Sequence, residues 1–281
     1  MEFTSPEAEQ RYAALVRASA TTVVGLDFDG TLAPIVDDPT IAHIHPDVPE
    51  ALIELSTCVR AIAVITGRPA RQALALGGLD EVGDRIGELG RELFVLGQYG
   101  NERWTSTDRR VISPRPPHGL AGFLRDLPGL LRRVGAEDAY VEEKGLAVAV
   151  HTRRLPDAAA TFERLLAPLT ESAHEHDLMT EPGRSVVEVR APGMDKGRAV
   201  AAIARELSAD GFLFAGDDLG DIEAFRAVLD LRKAGLATLL VSSASTEQTA
   251  LTELADVVVD GPDGVLELLR QFTIDASALR A

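Results

Sequence analysis

Cysteine is all but absent: Cys58 stands alone among 281 residues and cannot close an intramolecular disulfide, so a reducing, cytoplasmic setting is expected. Long apolar runs are missing too. Gly, Asp, Arg or Pro interrupts each of them before it reaches the roughly 18 to 20 residues that cross a bilayer. Residues 1–20 carry no apolar stretch flanked by basic residues of the kind a secretory signal has. No membrane partner is expected. Positive charge is scarce, with 28 Lys and Arg against 44 Asp and Glu, a formal net charge of -16 and a sequence pI near 4.8. Such a surface repels a phosphate backbone, which argues against nucleic acid as a partner. It also sets a condition, because an anionic small molecule would need local positive groups or a metal to override the global field. Internal repeats and low-complexity tracts are lacking as well.

What is present alternates. Ser5, Pro6 and the acids Glu7 and Glu9 make a helix start, continued at helical spacing by Tyr12, Leu15 and Val16. Residues 22–26 form a β-branched run that ends in Asp27-Phe28-Asp29-Gly30-Thr31-Leu32, as a buried strand entering a loop would. Residues 61–65 repeat that design and end in Thr66-Gly67-Arg68-Pro69. Between them Val48, Leu52 and Leu55 keep helical spacing, so strand, helix and strand form a parallel crossover. A third strand over 93–96 leads into Gln98-Tyr99-Gly100, and the prolines between Ser113 and Pro117 mark a domain boundary. The pattern then changes to a helix over 120–134, a long strand over 140–151, a helix over 157–173, and strands near 178 and over 186–189. This reads as an inserted α+β unit with an antiparallel sheet. Alternation resumes with helices over 196–207 and 221–229, strands over 212–215, 236–241 and 256–259, and a last helix over 265–272. The expected fold is α/β, a doubly wound parallel sheet over 1–114 and 193–281, with the α+β unit inserted over 115–192.

Three polar clusters fall at the C-terminal tips of expected parallel strands: Asp27 with Asp29, then Thr66, then Asp217, Asp218 and Asp221. Open α/β sheets bind ligands at those tips. Oxygen-only ligation by Asp27, Asp217 and the backbone carbonyl of Asp29 suits Mg²⁺, and Lys196 can add local positive charge.

These residues resemble a known superfamily. Asp27-Phe28-Asp29-Gly30-Thr31-Leu32 matches the DxDGT/L motif of the haloacid dehalogenase phosphatases, and Thr66, Lys196 and Gly216-Asp217-Asp218-Leu219-Gly220-Asp221 resemble its later motifs in order. The chain is more specifically similar to the trehalose-6-phosphate phosphatase family. That family's cap pattern VExKxxxxxxHxR is met by Val141, Glu142, Lys144, His151 and Arg153. Gln98-Tyr99-Gly100 departs from the family's Asn-His-Gly, and Gly220 and Ile222 replace the Thr and Glu of GDDxTDE. The resemblance implies a Rossmann-like haloacid dehalogenase core whose inserted α+β unit is a cap domain. It implies Asp27 as nucleophile, Asp29 as acid and base, and Thr66 and Lys196 beside them. It also implies Gly67, Arg68, Glu142, Lys144, His151, Arg153 and Glu188 as substrate contacts, and Mg²⁺ held by Asp27, Asp29, Asp217 and Asp218. The implied substrate is trehalose 6-phosphate, with a functional link to a trehalose-6-phosphate synthase. Another sugar phosphate such as sucrose phosphate or a glucosylglycerol-type phosphate, a phosphomutase reaction, or a non-catalytic regulatory partner of a synthase are the competing readings.

Plainer readings stand beside these. An Asp-x-Asp pair in an acidic chain is usually a solvated loop, Thr66 has the chemistry of a helix cap, and Lys196 that of a solvated first turn. Glu142, Lys144, His151 and Glu188 suit the wet face of an antiparallel sheet. His43, His45, His174 and His176 match no ligand spacing and are expected at the surface, while Trp104 and Cys58 are expected to pack.

Overall fold

The structure is a computed structural model that describes residues 2–36, 38–183, 185–244 and 249–280. In chain order the elements are β1 (Glu2–Phe3), α1 (Pro6–Arg17), β2 (Thr22–Leu26), α2 (Val48–Ser56), β3 (Ala61–Ile65), α3 (Ala70–Gly77), α4 (Leu79–Glu88), β4 (Leu93–Gly97) and β5 (Glu102–Thr105). There follow α5 (Leu120–Val134), β6 (Tyr140–Glu143), β7 (Ala147–His151), α6 (Ala158–Glu175), β8 (Met179–Gly183) and β9 (Val186–Arg190). The chain ends with α7 (Lys196–Glu206), β10 (Gly211–Gly216), α8 (Ile222–Lys233), β11 (Ala237–Ala244), α9 (Thr249–Thr252), β12 (Val257–Asp260) and α10 (Gly261–Ala278). These elements divide into two units, Met1–Ser113 with Asp195–Ala281, and Pro114–Met194. Among the described residues no helix is long and apolar enough to cross a membrane.

The first unit is built on an eight-stranded sheet in the order β1-β12-β11-β10-β2-β3-β4-β5. Its inner strands run parallel, and the edge strands β1 and β5 are antiparallel to their neighbours. Every residue of β2, β3, β4 and β10 is buried, as parallel strands covered on both faces must be. Successive side chains alternate between the faces. Val24, Leu26, Ile62, Val64 and Leu213 join Leu15, Leu52 and Phe272 from α1, α2 and α10. Ala63, Ile65, Phe212 and Phe214 join Val200, Ile203, Phe225 and Val228 from α7 and α8. Two helical layers make the sheet doubly wound. Burying one such side chain is worth about 1.5 to 3 kcal/mol, so both layers carry much of the stability. Strand order runs outward from β2 through β3 to β4 on one side and through β10 to β11 on the other. The switch point therefore lies at the C-terminal ends of β2 and β10, where such sheets bind ligands.

The second unit is a four-stranded antiparallel sheet in the order β6-β7-β9-β8. Val148, Val150, Val187 and Val189 face Phe123, Leu127, Leu130, Leu165 and Leu169 of α5 and α6. The residues of opposite parity, Glu142, Ala149, His151, Glu188 and Arg190, therefore share the other face.

The expected long strand over 140–151 is in fact two strands, because Gly145 turns the chain at φ 86°. No helix was expected over 70–88, where α3 and α4 stand, and the last helix runs well beyond the expected 265–272.

Candidate active site

Asp27 follows β2, Asp217 follows β10, and Lys196 is the first residue of α7. All three are buried, along with Asp221 and Thr66. The lysine organises the carboxylates. Its Nζ lies 2.6 Å from Asp27 Oδ1 and 2.7 Å from Asp221 Oδ1. Asp221 Oδ2 accepts from the amide of Asp217 at 3.0 Å and that of Asp218 at 3.4 Å. Asp221 is thus fully committed to holding the lysine and the turn that presents Asp217. The glycine between the Asp-x-Asp pair and Thr31 has a geometric reason. Gly30 adopts φ 71°, and a Cβ there would lie 2.1 Å from Asp217 Oδ2, so only glycine lets that carboxylate reach the loop.

Oxygen atoms of Asp27, Asp217 and Asp221 lie within 4.8 Å of one another. Burial, then the negative charge of Asp221, pushes the Asp27 carboxyl well above its ordinary range against the pull of Lys196. Burial and the neighbouring Asp27, Asp218 and Asp221 push Asp217 up to about 9. Asp218 is raised by burial and by Asp221. Burial disfavours the charge on Lys196, yet Asp221 and Asp27 outweigh it and hold the ammonium well above its ordinary value. One lysine does not neutralise these acids. A hard divalent cation with oxygen ligands fits this donor set and would remove the surplus repulsion.

Asp29 points its carboxylate elsewhere. Its two oxygens accept from Arg68 Nε and Nη2, both at 2.6 Å, and Arg68 Nη1 donates to the Pro39 carbonyl at 2.8 Å. The guanidinium also lies 5.4 Å from the centre of the Phe28 ring. Thr66 Oγ1 accepts from the Arg68 amide at 3.1 Å, the cap-like bond its chemistry allows. The Asp218 side chain accepts from the Gly220 amide at 2.9 Å. Of the four acids expected at the metal, then, Asp27 and Asp217 meet in one cluster, with Asp221 as its third member. Asp221 was visible in the fourth motif, but nothing in spacing alone told that its carboxylate turns back under Lys196.

In the second unit, Lys144 Nζ donates to Glu188 Oε2 at 2.6 Å, and His151 Nε2 lies 3.0 Å from Glu142 Oε2. The His151 ring stands 5.5 Å from that of Tyr140. Ala147 and Ala149 form the small floor beneath these long side chains. Among the described residues Glu188 Oε1, which is buried, has no hydrogen-bond partner and lies 3.9 Å from Arg190 Nε. Arg153 is exposed in the turn after β7.

The fold is that of a haloacid dehalogenase-like hydrolase from Bacteroides thetaiotaomicron, which matches with a TM-score of 0.60 over 89% of this chain and 98% of its own, at 15% identity. A trehalose-6-phosphate phosphatase C-terminal domain from C. albicans shares it with a TM-score of 0.75 over 97% of this chain and 98% of its own, at 19% identity. The sequence profile of the trehalose-phosphatase family matches residues 134–257. A probable trehalose-phosphate phosphatase of Sinorhizobium fredii is 31% identical over 207 residues, 72% of each chain. The chain belongs to the trehalose-phosphatase family. It also matches, at 33% identity over 238 residues, a Mycobacterium tuberculosis protein named an uncharacterized glycosyl hydrolase, but spans only 17% of that protein's length.

Proposed function

We propose that the chain is a magnesium-dependent phosphatase that hydrolyses trehalose 6-phosphate to trehalose and phosphate through an aspartyl-phosphate on Asp27. The observation that carries the reading is the buried Lys196 bridging Asp27 and Asp221, with Asp217 alongside. An isolated carboxylate there would stay protonated, whereas the lysine favours the anion a nucleophile needs. A carboxylate oxygen of Asp27 attacks phosphorus in line as the bond to the sugar oxygen breaks. Asp29 gives that oxygen a proton, then takes one from the water that attacks the phosphoenzyme and regenerates Asp27. This duty requires the Arg68 pair to part and Asp29 to become protonated before the sugar leaves. Lys196 and the Thr66 and Gly67 segment offset charge on the phosphoryl oxygens. Asp27 and Asp217 are the residues that would hold Mg²⁺, whose bound charge offsets the same oxygens.

Family membership supports trehalose 6-phosphate as substrate, and so does the polar face of the second unit. A buried acceptor without a donor among the described residues, such as Glu188 Oε1, suits a sugar hydroxyl. A synthase that makes the same sugar phosphate would supply the substrate. The test of the chemistry is acid quenching during turnover of ³²P-labelled substrate with Mg²⁺. Label bound covalently to a peptide containing Asp27 is expected; its absence under single-turnover conditions, with product formed, would overturn the covalent route.

A further inference from the structure

The turn after β4 holds unusual backbone beside the site. Gln98 and Tyr99 have φ of 50° and 59°, and Gly100 follows at 91°. Left-handed backbone is natural for glycine and tolerable for asparagine, but strained for glutamine and tyrosine. The surroundings over-determine it. The Gln98 amide donates to the Arg68 carbonyl at 2.8 Å, and the Tyr99 amide to the Thr66 carbonyl at 2.9 Å. Asn101 Nδ2 donates to the Gln98 carbonyl at 2.8 Å. Gly100 lies against α7, where a Cβ would come within 2.5 Å of the Ala199 Cβ. The turn is therefore wedged between the Thr66–Arg68 segment and the helix that begins at Lys196.

This backbone places one side chain. The Tyr99 ring lies on Gly67, where a Cβ would meet Oη at 2.9 Å, Cζ at 3.0 Å and Cε1 at 3.3 Å. A glycine peptide has the widest conformational freedom of any residue, and the ring supplies the steric wall that the missing Cβ cannot. The structure assigns Tyr99 as a positioning residue: packed on Gly67, it fixes the direction of the Gly67 N–H and the adjoining Thr66 hydroxyl toward a bound phosphoryl group. The inference rests on reading Thr66 and Gly67 as phosphoryl contacts, and goes further by naming what holds them. It also explains why strain persists where asparagine or glycine would sit at no cost: neither carries a ring.

The test is calorimetric titration of inorganic phosphate into the full chain with saturating Mg²⁺, for wild type, Y99F and Y99N. Y99N accepts the left-handed backbone and removes the ring, so it is expected to weaken phosphate binding about tenfold. Its Mg²⁺ affinity and melting temperature should stay at the wild-type values. Y99F keeps the ring, so it should stay within about threefold of wild type. Wild-type phosphate affinity in Y99N would overturn the assignment. So would a joint loss of phosphate affinity, Mg²⁺ affinity and melting temperature, which marks a structural role. A loss in Y99F equal to that in Y99N would make the hydroxyl itself the ligand and overturn the positioning role. If the wild-type protein with Mg²⁺ binds no phosphate at all, the phosphatase reading falls and takes this one with it; if wild type binds and Y99N binds equally, only Tyr99 loses its part.

Discussion

Lys196 holds two acids at once, and the consequences differ for each. Asp221 uses one oxygen on the lysine and the other on two amides, so it is structural to the site. Asp27 meets the lysine with one oxygen. Replacing it by asparagine keeps the shape, removes one of several buried, mutually repelling carboxyls, and eliminates the proposed nucleophile. Asp27→Asn is therefore expected to drop kcat below about a thousandth of wild type with no fall in metal-free melting temperature. Turnover above about a tenth of wild type would remove Asp27 from that role. Asp217 makes a second prediction. Its ordinary value is 3.8 and the fold raises it to about 9, so the native state keeps a proton that the unfolded chain releases above about pH 4. Its contribution to metal-free stability is fully present at low pH and is lost as pH rises toward 9. At the proposed site Mg²⁺ would displace that proton, so the rise in melting temperature on adding Mg²⁺ should grow between about pH 6 and about pH 8.5. A rise that is flat or shrinks with pH would separate Asp217 from the cation.

At the scale of elements, β7 and β9 turn Val148, Val150, Val187 and Val189 toward the helices and, on the other face, set Glu188, Arg190 and His151 around the small Ala147 and Ala149. Glu188 sits on the polar face with one oxygen on Lys144 and the other, among the described residues, without a hydrogen-bond donor. A charged hydrogen bond to a sugar hydroxyl is worth about 1.5 to 3 kcal/mol. Glu188→Ala should lower kcat/KM for trehalose 6-phosphate roughly ten- to a hundredfold while hydrolysis of a small aryl phosphate stays within about twofold. Equal losses on both substrates would assign Glu188 to the fold. The inward strands were legible because β-branched runs such as 22–26 and 61–65 end directly in polar clusters. Residues 70–88 were not, since Gly77 and Gly78 interrupt the helical period and the αL Gly78 starts a second helix where the first stops. The strand over 140–151 looked continuous because alternation carries through Gly145, and only its positive φ reveals a hairpin. The partners of Arg68 lay beyond the sequence: it is expected as a substrate contact, and its guanidinium is held by Asp29 and the Pro39 carbonyl.

Over the whole molecule the negative charge is unevenly shared. Residues 114–194 hold 10 of the 28 bases and 12 of the 44 acids, so the remainder of the chain carries nearly all of the net charge. The unit with the acidic cluster is the one least hospitable to a phosphate dianion. Lys196 opposes that field locally, and the proposed divalent cation would reverse it. Hydrolysis should therefore depend on the cation, while the choice of sugar should depend on hydroxyl contacts rather than on charge. Both follow from the central claim, and one measurement reaches it: phosphate release from trehalose 6-phosphate, sucrose 6-phosphate, a glucosylglycerol phosphate and glucose 6-phosphate, with Mg²⁺ and with excess chelator. The expected result is cation-dependent release with kcat/KM for trehalose 6-phosphate at least about a hundredfold above the others. Release that survives chelation, or a panel hydrolysed without preference for trehalose 6-phosphate, would contradict it.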